Sequence, residues 1–155
     1  MKTKLSNRSL FLLGGLLAFF ATGFTPAIRS QSRSSFRVVD IFVDAKGKSL
    51  AAYQLEWKVA SHNAKIVGIE GGDHPAFKQP PNYDPRAIQG ERVIVAAFNI
   101  AGENALPRRR TRLATIHLEA PAGAKCKFEL EKFEAADAQG RRISVNAWST
   151  ERTVR

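Results

Sequence analysis

The sequence predicts an all-β fold, an antiparallel β-sandwich with jelly-roll topology. Apolar and polar residues alternate from Leu50 to Val59, a pattern that places one face of a strand on a core. About seven or eight short segments of strand type follow one another at fairly even spacing, with turn residues between them and no convincing helix. We expect this sandwich to span about residues 36–149 of the 155-residue chain.

The first 27 residues have the pattern of an export signal. Lys2, Lys4 and Arg8 precede the apolar run LFLLGGLLAFFATGF, and small residues that suit a cleavage site follow it. The alternative is an uncleaved membrane anchor over residues 9–28, because 20 uncharged residues are long enough to span a bilayer. Both interpretations predict a protein that is secreted, periplasmic or on the cell surface, with membrane contact only through this segment.

Basic residues outnumber acidic ones, with 24 lysines and arginines against 14 aspartates and glutamates and a formal net charge of +10. They are spread over several places, including residues 108–110 and 141–142, and most fit solvated turns. No aromatic residues interleave these runs to stack on bases, so the sequence predicts no binding to nucleic acid. Residues 28–35 predict a short polar linker, and residues 150–155 a polar tail.

The strands of the first half follow in order. Phe36–Val43 is dense in β-branched and aromatic residues and ends at a turn, residues 44–48. After the alternating strand, Lys65–Glu70 is a short strand. Arg92–Ile100, RVIVAAFNI, is nearly all apolar without alternation, which predicts a strand buried on both faces.

The second half continues the pattern. Thr111–Glu119 alternates again. Phe128 and Leu130 share one face and Phe133 falls out of phase with them, which predicts a bulge near residues 131–132. Residues 137–140 predict a hairpin turn before a closing strand that points Ile143, Val145 and Ala147 inward. The predicted core is Val39, Ile41, Val43, Tyr53, Leu55, Trp57, Val95, Phe98, Ile116, Leu118, Phe128, Leu130, Ile143 and Val145. Because Cys126 is the only cysteine, this core rather than a disulfide must stabilise the domain.

The stretch Gly71–Pro85, GGDHPAFKQPPNYDP, predicts a long loop rather than a strand or helix, because it holds two adjacent glycines and four prolines. A long loop with aromatic and charged side chains on a rigid scaffold is typical of a binding site. The candidate partner-binding residues are Asp73, His74, Phe77, Tyr83 and Asp84 of this loop, together with Trp148. We expect Phe77 and Tyr83 to be the anchors and the polar residues to orient a partner. The alternative is that Phe77 and the prolines only cover an open end of the sandwich.

No catalytic motif is present, so the sequence predicts a protein that is not an enzyme. Asp73 and His74 could form an acid–base pair, but no Ser or Cys nucleophile motif accompanies them and a turn role explains them more simply. The histidines and the single cysteine lack the spacing of a zinc site. No metal or cofactor is predicted; calcium held by Glu70, Asp73, Asn82 and Asp84 is the alternative, because hard oxygen ligands cluster there.

The order LAAYQLEWKV, KIVGIEGG, ERVIVAAFNIAG and TRLATIHLEAPAG is similar to the cohesin domain over about residues 38–148. This resemblance implies a jelly-roll sandwich of the group that also includes carbohydrate-binding modules. It also implies a non-catalytic module that binds a protein partner of dockerin type, a small calcium-loaded module. The proline-rich loop departs from an ordinary cohesin. We therefore expect binding of another exported protein through a sheet face and the 71–85 loop; the alternative is polysaccharide binding through Trp148 and Tyr83.

Overall fold

The computed structural model describes residues 33–61 and 63–152; the predicted export segment and residues 28–32 lie outside them. The described residues form the strands β1 Ser34–Asp44, β2 Ala52–Val59, β3 Lys65–Gly71, β4 Asn82–Tyr83, β5 Arg92–Phe98, β6 Arg110–Pro121, β7 Phe128–Ala136 and β8 Asn146–Arg152. Three single 3-10 turns lie at Pro75–Phe77, Pro85–Ala87 and Glu103–Ala105. No helix in these described ranges is long and apolar enough to cross a membrane. The predicted all-β class is confirmed.

The strands form two four-stranded antiparallel sheets. Sheet A has the order β3-β6-β1-β8, and sheet B has the order β4-β5-β2-β7. Alternate residues of β2 point between the sheets, where Tyr53, Leu55 and Trp57 are 3%, 1% and 0% exposed. Burial of this row and of its partners from sheet A supplies the main driving force for folding, since a domain without disulfides depends on apolar burial.

The predicted bulge in β7 is confirmed. Glu56 pairs with Lys132, whereas the next residue of β2, Trp57, pairs with Leu130, so Glu131 is the extra residue. Leu130 and Phe133 are three residues apart and would point to opposite faces of a regular strand. The extra residue of the bulge lets both side chains pack against the core.

The structure corrects the expectation for β5, which is buried on one face only. Val93 and Val95 are 1% and 0% exposed, but Ile94 and Phe98 are 43% and 71% exposed. The assignment of Phe98 to the core is therefore wrong. Within the described residues, sheet A covers one side of sheet B and no further layer covers the other. Other predicted core positions, namely Phe128, Leu130, Ile143 and Val145, are half-buried and pack at the edge of the core.

Three predicted boundaries also move. β1 begins at Ser34, inside the predicted linker, and β8 continues to Arg152, inside the predicted tail. The closing strand starts only at Asn146, because Ile143 still belongs to the connection from the 137–140 turn. The 71–85 stretch is not wholly irregular, since it contains β4 and a 3-10 turn.

The outer face of sheet A holds a buried carboxylate. Asp40 on β1 is 8% exposed, and its oxygens accept hydrogen bonds from Thr115 at 2.8 Å and from Arg152 at 2.7 and 3.0 Å. Arg112 lies 3.4 Å from the same carboxylate. Burial raises the pKa of Asp40, but these donors and the arginine charges outweigh burial and hold the pKa below its ordinary value. The centre of this face is therefore filled by its own ion network.

Candidate functional site

The first half of the 71–85 loop is locked against sheet A by two close backbone approaches. A Cβ on Gly72 would lie 2.0 Å from the backbone oxygen of Arg112, and a Cβ on Gly71 would lie 2.1 Å from that of Lys78. The amide of Gly72 donates to the oxygen of Phe77 at 2.8 Å. The adjacent glycines are required because only residues without a side chain fit between β6 and the returning loop.

Phe77, a predicted anchor, lies in the core. It is 3% exposed, and its ring meets that of Tyr53 edge-on with centroids 5.2 Å apart. The side chain is thus buried in the sandwich rather than presented to a partner. Its position supports the covering role that the sequence left as the alternative.

Asp73 and His74 are engaged in holding the loop. The Asp73 Oδ1 accepts a hydrogen bond from the amide of Arg112 at 3.2 Å, which ties the loop to β6. The His74 Nδ1 accepts from the amide of Ala76 at 3.1 Å and caps the 3-10 turn that starts at Pro75. The His74 contact is the kind of local turn contact that the sequence favoured over an acid–base pair, whereas Asp73 bonds a distant strand instead of capping a turn.

The four calcium-ligand candidates are not gathered into a cage of carboxylates. The Oε1 of Glu70 lies 3.1 Å from the Nε2 of His117, and Asp84 pairs with Arg86. Across the described ranges, no group of three or more His, Cys, Asp or Glu residues is placed to hold a metal ion. Calcium binding stays a prediction from the sequence.

The second half of the loop adds β4 to the edge of sheet B. Tyr83 pairs with Val95 of β5, and the Asp84 Oδ1 accepts from the amide of Arg86 at 2.9 Å. The hydrogen bonds from Arg86 lower the pKa of Asp84. Tyr83 and Asp84 line a groove of about 520 Å³ that also borders Ile94. Tyr83 and Asp84, two of the predicted partner-binding residues, therefore line the same groove as the exposed Ile94 side chain of β5.

The outer face of sheet B carries an apolar patch at the end where β5 finishes. We define this patch as Ile94, Ala96 and Phe98 of β5, Ala52 of β2 and Ala136 of β7; Phe98 and Ala136 both pair with Ala52 in the ladder. A groove of about 540 Å³ is lined by every residue of this patch except Ile94, and also by Asn82 of β4. Exposed apolar patches of this kind, rimmed by polar residues, mark interaction sites.

The opposite half of the same face is charged but internally neutralised. Lys58 forms ion pairs with Glu129, at 3.2 Å, and with Glu131. Arg92 pairs with Glu56, and the hydrogen bond from Arg92 is the main cause that lowers the pKa of that carboxyl. Because these charges satisfy one another, the apolar patch is the part of the face left to drive association.

Trp148 lies away from the loop. It sits on β8, where its ring stacks with that of Phe42 at 5.7 Å, and Arg110 lies over both rings at 4.9 and 5.6 Å. Tyr83 is on sheet B and Trp148 on sheet A, so the structure does not bring the two together. The two aromatic residues of the polysaccharide-binding alternative are therefore separated, and the structure does not favour that alternative.

The sandwich is similar to two solved cohesin structures. A non-cellulosomal cohesin from the hyperthermophilic archaeon Archaeoglobus fulgidus matches with a TM-score of 0.55 and 11% identity, over 72% of this chain and 75% of that one. The fold is cohesin-like. A type I cohesin–dockerin complex from Clostridium thermocellum matches with a TM-score of 0.52 and 16% identity, over 73% of this chain and 82% of that one. No protein-family model and no curated protein matches the sequence.

Sequence reasoning missed the surface that the cohesin-like sandwich leaves exposed. The apolar run of β5 was interpreted as burial on both faces, yet a sandwich of two sheets can cover each strand on one face only. The conflict between an apolar run on both faces and a fold that covers one face was the signal by which the sequence could have revealed this surface. A run without alternation in a two-layer fold indicates an apolar outer face, here marked by Ile94 and Phe98.

Proposed function

We propose that this chain is an exported, non-catalytic interaction module with a jelly-roll, cohesin-like sandwich. It binds another exported protein of dockerin type through the outer face of sheet B. The apolar patch is the observation that carries this proposal. The solved cohesin–dockerin complex, which shares the fold, supports a protein partner.

The two outer faces differ in what they offer a partner. On sheet A the centre is occupied by Asp40 and its arginines, and Trp148 is engaged by Phe42 and Arg110. On sheet B, Phe98 is 71% exposed and lies beside small alanines. Phe98 and these alanines line the groove of about 540 Å³. Aromatic residues on a flat apolar centre with a polar rim are typical of protein interfaces.

The 71–85 loop contributes the rim of this surface. Asn82 Nδ2 donates to the oxygen of Ala96 at 3.4 Å, and Asn99 Nδ2 donates to the oxygen of Ala76 at 2.9 Å. The loop is thus fixed to the middle of the exposed part of β5 and to the residue that follows the strand. Asp84 and Tyr83 then border the patch without having to be ordered on binding, which lowers the entropy cost of association.

The test is capture of partners by the full-length tagged chain from the exported proteins of its source, followed by mass spectrometry. We expect a captured protein with calcium-binding loops, and loss of capture when calcium is chelated. Phe98→Asp should abolish capture. Phe36→Asp is the matched control, because Phe36 is 73% exposed but lies on sheet A.

Equal capture by the wild type and by Phe98→Asp would contradict the proposal. The comparison requires that Phe98→Asp and Phe36→Asp both keep the wild-type melting temperature. A glycan array is the parallel measurement. Binding of a polysaccharide that survives Phe98→Asp, with no protein captured, would replace this function by the carbohydrate-binding alternative.

A further inference from the structure

A separate groove lies at the end of the sandwich formed by the β1–β2, β5–β6 and β7–β8 connections. It has a volume of about 760 Å³. Its lining includes the cationic residues Lys46, Lys48, Arg108, Arg141 and Arg142 and the carboxylates of Glu103 and Asp137. We call it the basic groove. It gathers charges from the 108–110 and 141–142 runs that are far apart in the sequence.

The β1–β2 turn is fixed in place beneath this groove. Lys46 and Gly47 have φ angles of 51° and 82°, and the amide of Lys48 donates to the oxygen of Ala45 at 2.9 Å. Two consecutive left-handed residues define a tight turn, which here leads from β1 in sheet A to β2 in sheet B. The amide of Gly47 also donates to the oxygen of Arg108 at 2.8 Å, which joins the turn to the β5–β6 connection.

The third connection is tied to the same frame. The Asp137 Oδ1 accepts hydrogen bonds from the amides of Gln139 and Arg141 at 3.0 and 2.9 Å. The Gln139 side chain donates to Glu103 of the β5–β6 connection at 3.2 Å. The three connections therefore form one hydrogen-bonded unit, and the groove exists before any ligand arrives.

The positive charges of the groove are only partly compensated. Asp137 pairs with Arg141 at 2.8 Å, Glu103 lies 3.7 Å from Arg108, and Glu134, which lies outside the groove, pairs with Arg142 at 3.2 Å. In residues 33–61 and 63–152, no carboxylate oxygen lies within 4.0 Å of the Nζ of Lys46 or Lys48, and the Asp44 carboxylate accepts only from the backbone amide of Lys46. Two exposed lysines at a hydrogen-bonded turn thus carry ammonium groups without a counter-ion among the described residues.

We infer that the basic groove binds a small polyvalent oxyanion, a ligand with two or more phosphate or carboxylate groups. Lysine is a suitable point charge for such groups, and arginine adds planar donors that match their oxygens. The volume is that of a small-molecule site rather than of a single bound ion. This ligand binds at the end of the sandwich, whereas the protein partner proposed above binds its outer face.

The experiment is isothermal titration calorimetry of the full-length chain with inorganic tripolyphosphate and, separately, with citrate. The groove variant is Lys46→Gln/Lys48→Gln, which removes two charges and keeps most of each side chain. The control is Lys65→Gln/Lys125→Gln, which removes two exposed lysines at the opposite end and changes the net charge equally. Gln at position 46 tolerates the left-handed backbone about as well as Lys, so both variants should fold.

We expect the wild type to bind at least one of the two anions at low ionic strength, more weakly as salt is added. The groove variant should lose about thirtyfold in affinity, since it lacks two charges and each is worth roughly fivefold at contact distance in water. The control should stay within about twofold of wild type. The tighter anion identifies phosphate or carboxylate as the ligand group.

Two results would overturn the inference. One is no binding of either anion by the wild type at low salt. The other is an equal loss of affinity in the groove and control variants, which would show attraction to net charge alone. Amide shifts of Gly47 and Ser144, which both line the groove, provide a check on the wild type that needs no variant; unchanged shifts during binding would place the anion elsewhere.

Discussion

Phe77→Ala measures how far the 71–85 loop belongs to the core. Phe77 is 3% exposed and its ring packs on Tyr53, so the substitution leaves a cavity beneath the loop. Truncation of a buried Phe costs about 3–5 kcal/mol. We expect about 3 kcal/mol, the lower end, because a surface loop can close part of the cavity.

The thermal consequence follows from the size of the domain. An unfolding entropy of about 2.1 cal/mol/K per residue gives roughly 0.25 kcal/mol/K for a domain of about 120 residues. A loss of about 3 kcal/mol then lowers the melting temperature by about 12 °C. Differential scanning calorimetry of the full-length chain and urea unfolding both measure this change.

Phe36→Ala is the control for this measurement, because the same side chain is removed from a position that is 73% exposed. It should change stability by no more than about 0.5 kcal/mol. If Phe77→Ala lowered the melting temperature no more than Phe36→Ala does, the loop would not be part of the core and the reasoning would be refuted.

Three further changes test other parts of the structure. Gly72→Ala should cost about 2 kcal/mol or more in urea unfolding, because its Cβ would meet a backbone oxygen at 2.0 Å, whereas Gly102→Ala enters open space and should be neutral. Asp40→Asn should cost about 2 kcal/mol at neutral pH, since it leaves two arginines without their carboxylate. Because the folded pKa of Asp40 is lowered, its contribution is present above about pH 3.9 and is lost as the pH falls through the folded value; the difference between wild type and Asp40→Asn should shrink in acid. Tyr83→Ala/Asp84→Ala should weaken partner capture at least about tenfold while melting falls by only a few degrees, and a larger melting loss with normal capture would contradict their role in recognition.

Local pattern was sufficient for the fold class and for the register of β2 and β7. The alternation of Tyr53, Leu55 and Trp57 predicts one buried face, and the phase break before Phe133 predicts the bulge that the ladder shows. Both features depend on residues close in the sequence. The two-residue period of a strand is therefore enough to predict the buried face of β2 and the bulge of β7 without knowledge of the tertiary structure.

The surface could not be predicted in the same way. Whether Phe98 is buried depends on which layer lies over β5, and that is a property of the sheet order rather than of the run RVIVAAFNI. The same holds for Trp148. The sequence predicts Trp148 as a candidate partner-binding residue, but its contacts with Phe42 and Arg110 join strands that are distant in the sequence. Non-local pairing decides both cases.

The two roles considered for the 71–85 loop divide along its length. In residues 71–78 the backbone passes too close to β6 for any side chain at Gly72, and Asp73 and Phe77 are used in holding the loop to the sandwich. Gly72 and Phe77 are buried, so a partner cannot contact them without opening the loop. Residues 82–86 instead extend sheet B beside the apolar patch, where Asp84 remains about half exposed. We therefore propose that recognition by this loop uses its second half, where side chains can change without loss of the core.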